Sequence, residues 1–282
     1  MNVAAIRVAI FARKGGAGKT ALTTLLAREL VRQQSRVLVV DLDPQAVSVS
    51  TAFGIDTNQH LPSTPADLVQ GPGSLLFEPC SVVPGMLDVL PNSQEQGAHL
   101  EHVLHELWQR VRVATAGGSG ARRAVLDVRL AAVDMDYDFV LLDCPSALGE
   151  VTSNALEAAN LLISPIDMKC RANVLSVTDL LQHVTALKGS PTIWFVGNKW
   201  VPRERQCRLA LLDAHRLCGD RLLGTMVPEC TAISEALSAH RELRVASELS
   251  AQAAEAVWRL GKRLLEIRHP EETAAGAVGG AL

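Results

Sequence analysis

The sequence predicts an α/β fold, a doubly wound and mainly parallel sheet with helices on both faces, and three observations lead to it. Apolar strand-like runs alternate with longer helical segments, as they do in parallel α/β proteins. Several of these runs are continuously apolar rather than alternating, which indicates strands covered on both faces by crossover helices. A glycine-rich loop of phosphate-binding type separates the first run from the first helix. The expected strands are 6 to 11, 36 to 41, 87 to 90, 138 to 142, 161 to 164, 193 to 197 and 222 to 226.

The first strand, Ile6 to Phe11, runs into Lys14-Gly15-Gly16-Ala17-Gly18-Lys19-Thr20. Glycines let this backbone curl so that successive N–H groups face an anion. The Lys19 ammonium then reaches the β- and γ-phosphates of a nucleotide, and the Thr20 hydroxyl is placed to ligate Mg²⁺. Leu22, Leu25, Leu26 and Leu30 recur at helical spacing, so the loop ends in a helix N-terminus whose dipole favours phosphate. The general motif places a glycine at position 13, where this chain has Arg13, and the loop instead begins with a second lysine, Lys14.

The second strand leads into Asp41-Leu42-Asp43-Pro44-Gln45, where two carboxylates are spaced by two. Both project to the same side if extended geometry persists through Asp43. Asp143 ends the apolar run Phe139 to Leu142, the location of a carboxylate that holds Mg²⁺ through water in phosphoryl-transfer enzymes. The strand from Ile193 ends at Asn198, whose amide can both donate and accept. Between 115 and 120 the run Thr-Ala-Gly-Gly-Ser-Gly predicts a flexible loop.

Together these stretches carry a family resemblance. K-G-G-x-G-K-T resembles the ParA/MinD group of P-loop ATPases, whose members partition plasmids and chromosomes or position division machinery. Asp41 to Gln45 is similar to that group's D-x-D-P-Q switch, Phe139 to Ser146 to its Walker B strand, and Leu222 to Pro228 to the strand and loop that close over adenine. The match runs from about Ile6 to about Glu266 and implies a P-loop NTPase fold, an ATPase, and the cofactors ATP and Mg²⁺.

The resemblance also implies roles. ATP-binding residues would be Lys14, Gly15, Gly16, Ala17, Gly18, Lys19, Thr20 and Ala21, with Asn198, Val227, Pro228 and Glu229 around the adenine. Lys14, Lys19 and Asp43 would be catalytic: Asp43 orients the attacking water, and Lys14 reaches across an ATP-dependent homodimer to the partner's nucleotide. Thr20 and Asp143 would hold Mg²⁺, with Asp41 supporting them from behind. Ala17 and Ala21 stand where relatives commonly have Val and Thr, which removes one possible hydroxyl contact to the α-phosphate at position 21.

Composition agrees with an intracellular enzyme: 282 residues, 48% hydrophobic, with 27 Lys and Arg against 30 Asp and Glu. We expect one ATPase domain over 1–268 and a disordered Ala- and Gly-rich tail over 269–282, without the basic amphipathic helix that MinD-type proteins use to reach membranes. No stretch of 18 or more apolar residues suggests a membrane span, and the N-terminus does not read as a signal peptide. Six cysteines without a C-x-x-C pair fit a reducing cytoplasm.

Arg203, Arg205 and Arg208, with Arg241, Arg244, Lys262 and Arg263 as a second group, are candidates for a phosphate-binding face, although solvated helix surfaces explain the same residues. The favoured expectation is a nucleoid-associated partition ATPase. It binds double-stranded DNA non-specifically as an ATP dimer and is released by a centromere-binding ParB-like activator. The same switch positioning a protein cargo, such as a division regulator or microcompartment, is the alternative. A metal-cluster carrier is a further one, for which Cys144 lacks a convincing second ligand; a carboxylate ligase of the same fold is the least favoured.

Overall fold

The computed structural model describes residues 3–45, 47–70, 77–114, 125–187, 190–230 and 249–270. The loop expected at 115–120 and the tail beyond residue 270 lie outside them. In chain order the elements are β1 (Ile6–Ile10), α1 (Lys19–Arg32), β2 (Val37–Asp41), α2 (Val49–Ala52), α3 (Pro65–Gln70), β3 (Cys80–Val83), β4 (Leu87–Leu90), α4 (Gln94–Ala114) and α5 (Val125–Ala131). They continue with β5 (Phe139–Asp143), α6 (Glu150–Ala158), β6 (Leu161–Asp167), α7 (Arg171–Leu175), α8 (Val177–Thr185), β7 (Thr192–Trp200), α9 (Arg205–Cys218), β8 (Leu222–Pro228) and α10 (Ala251–Arg268).

The strands form one eight-stranded sheet in the order β3-β4-β2-β5-β1-β6-β7-β8, parallel except where β3 pairs antiparallel with β4. Every residue of β2, β5 and β6 is buried, which explains their apolar runs Val37–Val40, Phe139–Leu142 and Leu161–Ile163. Alternate residues serve opposite faces. Val8, Ile10, Val37 and Val39 pack with Leu26 and Leu30 of α1 and Leu260 and Leu264 of α10. Ala9, Leu38, Val40 and Leu142 pack with Leu104 of α4, Leu156 of α6 and Leu180 of α8.

Seven strands match the sequence expectation: β1, β2 and β5 differ from it by one residue at one or both ends, and β6, β7 and β8 continue two or three residues past the predicted end because their last, more polar residues still pair with a neighbour, as Asp167 does with Asn198. The eighth, β3, was not expected. It is a four-residue edge strand, half-exposed, joined to β4 by a turn in which Gly85 adopts φ +71, so it carries no continuous apolar signal.

Strand order reverses beside β1: β2 lies on one side beyond the inserted β5, and β6 lies on the other. Ligands of such sheets sit at that reversal, outside the carboxyl ends of the strands. Ile10 and Asp41 both register with Asp143, so the ends of β1, β5 and β2 bring the glycine loop and the acidic residues together.

Candidate nucleotide site

The glycine loop leaves β1 and turns into α1 through two residues with positive φ, Gly16 at +74 and Gly18 at +95. A Cβ at Gly15 or Gly16 would meet nothing within 4 Å, so the loop's face is open, whereas a Cβ at Gly18 would lie 2.1 Å from Asn198 Nδ2. Gly18 is therefore required for its conformation and for the close approach of Asn198. Lys19 is buried, and its Nζ donates to Ser146 Oγ at 2.5 Å.

Three carboxylates follow. Asp143 is fully buried; Thr20 Oγ1 donates to its Oδ2 at 2.9 Å and Thr23 Oγ1 to its Oδ1 at 2.8 Å. Burial pushes its carboxyl up to about 6, against the hydrogen bond from Thr23 and the charge of Lys19. Asp41 is equally buried and turns toward α2, accepting from Ser50 Oγ at 2.5 Å, from Ser50 N at 3.1 Å and from Asp43 N at 3.2 Å. Burial, reinforced by the negative charge of Asp143, pushes Asp41 up to about 7.

The expectation that Asp41 and Asp43 share one side depended on extended geometry persisting through Asp43. β2 ends at Asp41, so the strand alternation that would align them does not continue. Asp43 instead lines the cleft above the loop; its Oδ1 is buried without a hydrogen-bond partner among the described residues, and burial raises its carboxyl against the pull of Lys19. Pro44, next in line, sits on Gly97 of α4, where an added Cβ would lie 2.1 Å from Pro44 Cβ.

The buried pair Asp41 and Asp143 carries a stability consequence. Both groups hold protons more tightly when folded, so their contribution is complete below the unfolded value near 3.8 and is lost as pH rises through about 6 and about 7. Metal-free, nucleotide-free protein should lose thermal stability between about pH 4 and 7, and Asp41→Asn should flatten that slope and raise Tm at the upper end of that range by about 2 °C or more. Thermal melts in EDTA across that range check it; an unchanged slope in the variant would show that Asp41 is not the titrating group.

The cleft has a volume of about 370 Å³, within the range of small-molecule sites. Its walls are the glycine loop with Lys19, Thr20 and Ala21 on one side, Asp43 and Ser146 on a second, and Asn198, Lys199, Pro228 and Glu229 on a third. Asn198 Nδ2 donates to Ala17 O at 2.8 Å, so its amide braces the loop as well as facing the cleft. Val227, expected beside the adenine, packs into the core and does not line the cleft. Glu229 is held by Lys169 Nζ at 2.7 and 2.8 Å. A larger hollow of about 1020 Å³, between residues 54–62 and 93–96, shares Gln45 with this cleft but has no glycine loop.

Lys14 projects elsewhere. It is exposed on the outer side of the loop, borders a small hollow with Arg13 and Asn173, and forms no ion pair among the described residues. Of the basic candidates, Arg203 and Arg205 are exposed at the start of α9, while Arg208 donates to the carbonyls of Pro202 and Arg203 at 3.0 Å and so clamps that loop. Lys262 lies over Trp258 at 5.4 Å, and Arg263 lies over Trp194 at 5.8 Å and pairs with Glu266 at 3.4 Å. Arg241 and Arg244 lie outside the described residues. Cys144 is wholly buried with its thiol pushed up by burial, which suits a small apolar side chain.

Sequence reasoning missed Thr23, Ser50, Ser146 and Lys169. Ser146 stood inside the quoted Asp143 turn and Thr23 three residues beyond Thr20, a helical spacing that puts both threonines on one face. Ser50 and Lys169 carried no local signal.

Comparison with known proteins agrees with this geometry. A family model described as an AAA domain matches residues 5–192. The chromosome partitioning protein ParA of Caulobacter vibrioides (strain NA1000 / CB15N) is 31% identical over 245 residues, covering 84% of this chain and 86% of the relative. The chain belongs to the ParA/MinD family of P-loop ATPases. Among solved structures, the fold is similar to the Pyrococcus furiosus cell division ATPase MinD, with a TM-score of 0.65 at 21% identity over 95% of this chain and all of that one. It is also similar to the Mycobacterium smegmatis cobyrinic acid a,c-diamide synthase with bound ATP analog and magnesium, with a TM-score of 0.72 at 23% identity over 95% of this chain and 96% of that one.

As a member of the ParA/MinD family the chain is an ATPase that works with ATP and Mg²⁺. Its residues fit both. The open face over Gly15 and Gly16 leaves room for phosphates, the Thr20–Asp143 pair offers hydroxyl and carboxylate oxygens suited to a hard cation, and Asp43 Oδ1 is an acceptor still to be filled.

Proposed function

We propose that this family member is a partition ATPase of the ParA type, working as an ATP-dependent sandwich dimer over residues 1–268. The observation that carries the reading is Lys14, an exposed cation without an ion pair among the described residues, on the outside of a loop whose inner cation, Lys19, already faces the cleft. A second lysine placed there is available to a partner's phosphates. ADP lacks the γ-phosphate it would neutralise, so dimerisation depends on ATP.

In each site the amides of Gly15 to Thr20 and the Lys19 ammonium hold phosphate oxygens. Mg²⁺ would supply neutralisation of phosphate charge. Thr20 and Asp143 would hold it, Asp41 fixes the Asp43 turn by accepting from the Asp43 N–H, and Asp43 would accept from the attacking water. Asn198, Pro228 and Glu229, which line the cleft, enclose the adenine.

The dimer binds double-stranded DNA without sequence preference and is released when a centromere-binding ParB-like protein stimulates hydrolysis, which places it on the nucleoid in the cytoplasm. Exposed Arg203 and Arg205 support this reading, with Lys262 and Arg263 on α10. Among the described residues no helix is long and apolar enough to cross a membrane.

Labelled duplex DNA mixed with Asp43→Ala protein, with ATP, with ADP and without nucleotide, should bind with ATP alone. Affinity should fall about tenfold or more between 50 and 200 mM salt, as phosphate contacts require. No binding in any state, from protein that dimerises with ATP, would remove DNA as the partner and point to a protein cargo.

A further inference from the structure

Thr23 lies in α1, one turn beyond Lys19 and outside the glycine-loop motif, and it is fully buried. Its Oγ1 stands 2.8 Å from Asp143 Oδ1 and 3.0 Å from the Lys19 carbonyl. A helical threonine commonly bonds back to the carbonyl four residues earlier, and its neighbour does only that: Thr24 Oγ1 donates to Thr20 O at 2.8 Å. Thr23 differs in having a carboxylate within reach. One hydroxyl proton serves one acceptor at a time, and an ionised carboxylate is the stronger acceptor.

The tether matters because of what surrounds Asp143. Asp41 is its register partner on β2, so a second carboxylate stands alongside, and Asp43 adds a third negative charge nearby. Lys19, the nearby cation, donates to Ser146 rather than to Asp143. Among the described residues Thr20 and Thr23 hold the Asp143 carboxylate, one on each oxygen.

We propose that Thr23 is a positioning residue for Mg²⁺: by anchoring Asp143 Oδ1 from the helix side it keeps Oδ2 and Thr20 Oγ1, 2.9 Å apart, as a fixed pair for the metal. This rests on the reading of Thr20 and Asp143 as the metal end of the site. Partners that orient a metal-holding carboxylate typically change metal affinity by 10- to 100-fold when removed. The effect belongs to the metal and not to the nucleotide, because Thr23 lines no part of the cleft.

The test is binding of a fluorescent ATP analogue to the full chain, first in EDTA and then across a Mg²⁺ titration, with folding checked by circular dichroism. Thr23→Val should bind the analogue in EDTA within about twofold of wild type and need about tenfold more Mg²⁺ for half-maximal enhancement. Thr24→Val, which loses only a back-bond, should need wild-type Mg²⁺. Thr23→Ser keeps the hydroxyl and should also match wild type; a tenfold higher requirement there overturns the proposal even if Thr23→Val does not fold. A Thr23→Val requirement equal to wild type, or a Thr24→Val shift as large, overturns it too. Asp143→Asn separates the two levels: if it leaves the Mg²⁺ dependence unchanged, the reading of the metal end fails, and if it shifts the dependence while Thr23→Val does not, the Thr23 inference alone fails.

Discussion

Replacing Asp43 by alanine is expected to lower ATP turnover about 10²-fold or more while ATP still binds. The three buried carboxylates of the site are not equivalent. Both oxygens of Asp143 are held by threonine hydroxyls, and both oxygens of Asp41 accept from Ser50 or from the Asp43 N–H. Of the three, Asp43 lines the cleft with a buried oxygen that has no partner among the described residues. An unpaired buried acceptor costs stability and persists where something else fills it. The position beside Lys19 suits a water poised to attack phosphate. Phosphate release and equilibrium ATP binding, measured on the same preparation, check this. Turnover within about threefold of wild type would remove Asp43 from the chemistry.

Lys14→Ala should lower turnover by a similar factor of about 10² to 10³, the range for losing one preorganised charge at a reacting group. The effect should be repairable in a particular way. If Lys14 serves the partner's site, mixing Lys14→Ala with Asp43→Ala restores one complete site in each mixed dimer: the Lys14→Ala subunit keeps its own Asp43 and borrows Lys14 from its partner. A symmetric pairing of equal amounts then gives roughly a quarter of wild-type turnover. If Lys14 acts within its own subunit, no mixture recovers activity, and the face-to-face dimer loses its main support.

Much of the fold was legible because burial on both faces writes itself into composition. β2 and β5 are apolar up to their terminal aspartates and β6 is mostly apolar, and a strand sandwiched between two helical layers has no reason to alternate. β3 was not legible for the converse reason: at the sheet edge it buries little, and only its pairing with β4 makes it a strand. The ends of β6, β7 and β8 ran past the predicted boundaries because strand pairing, unlike hydrophobicity, tolerates polar residues such as Asp167 and Asn198.

The glycine loop, Lys19, Thr20 and Asp143 were readable in one dimension because phosphate binding demands a local backbone shape and a fixed short spacing. From the sequence alone came the fold class, the nucleotide loop and the identity of the charged groups. Which carboxylate is free was decided only by the tertiary structure. Asp41 and Asp43 look alike in the chain, and they separate because β2 stops at Asp41 and α2 brings Ser50 against it from nine residues away. Asn198 is 181 residues from the Ala17 carbonyl it braces, and Ser146 is 127 from the lysine it holds. Contacts of that range are set by how strands and helices stack, and hydrogen-bond partners chosen by packing leave no period or spacing in the sequence to read.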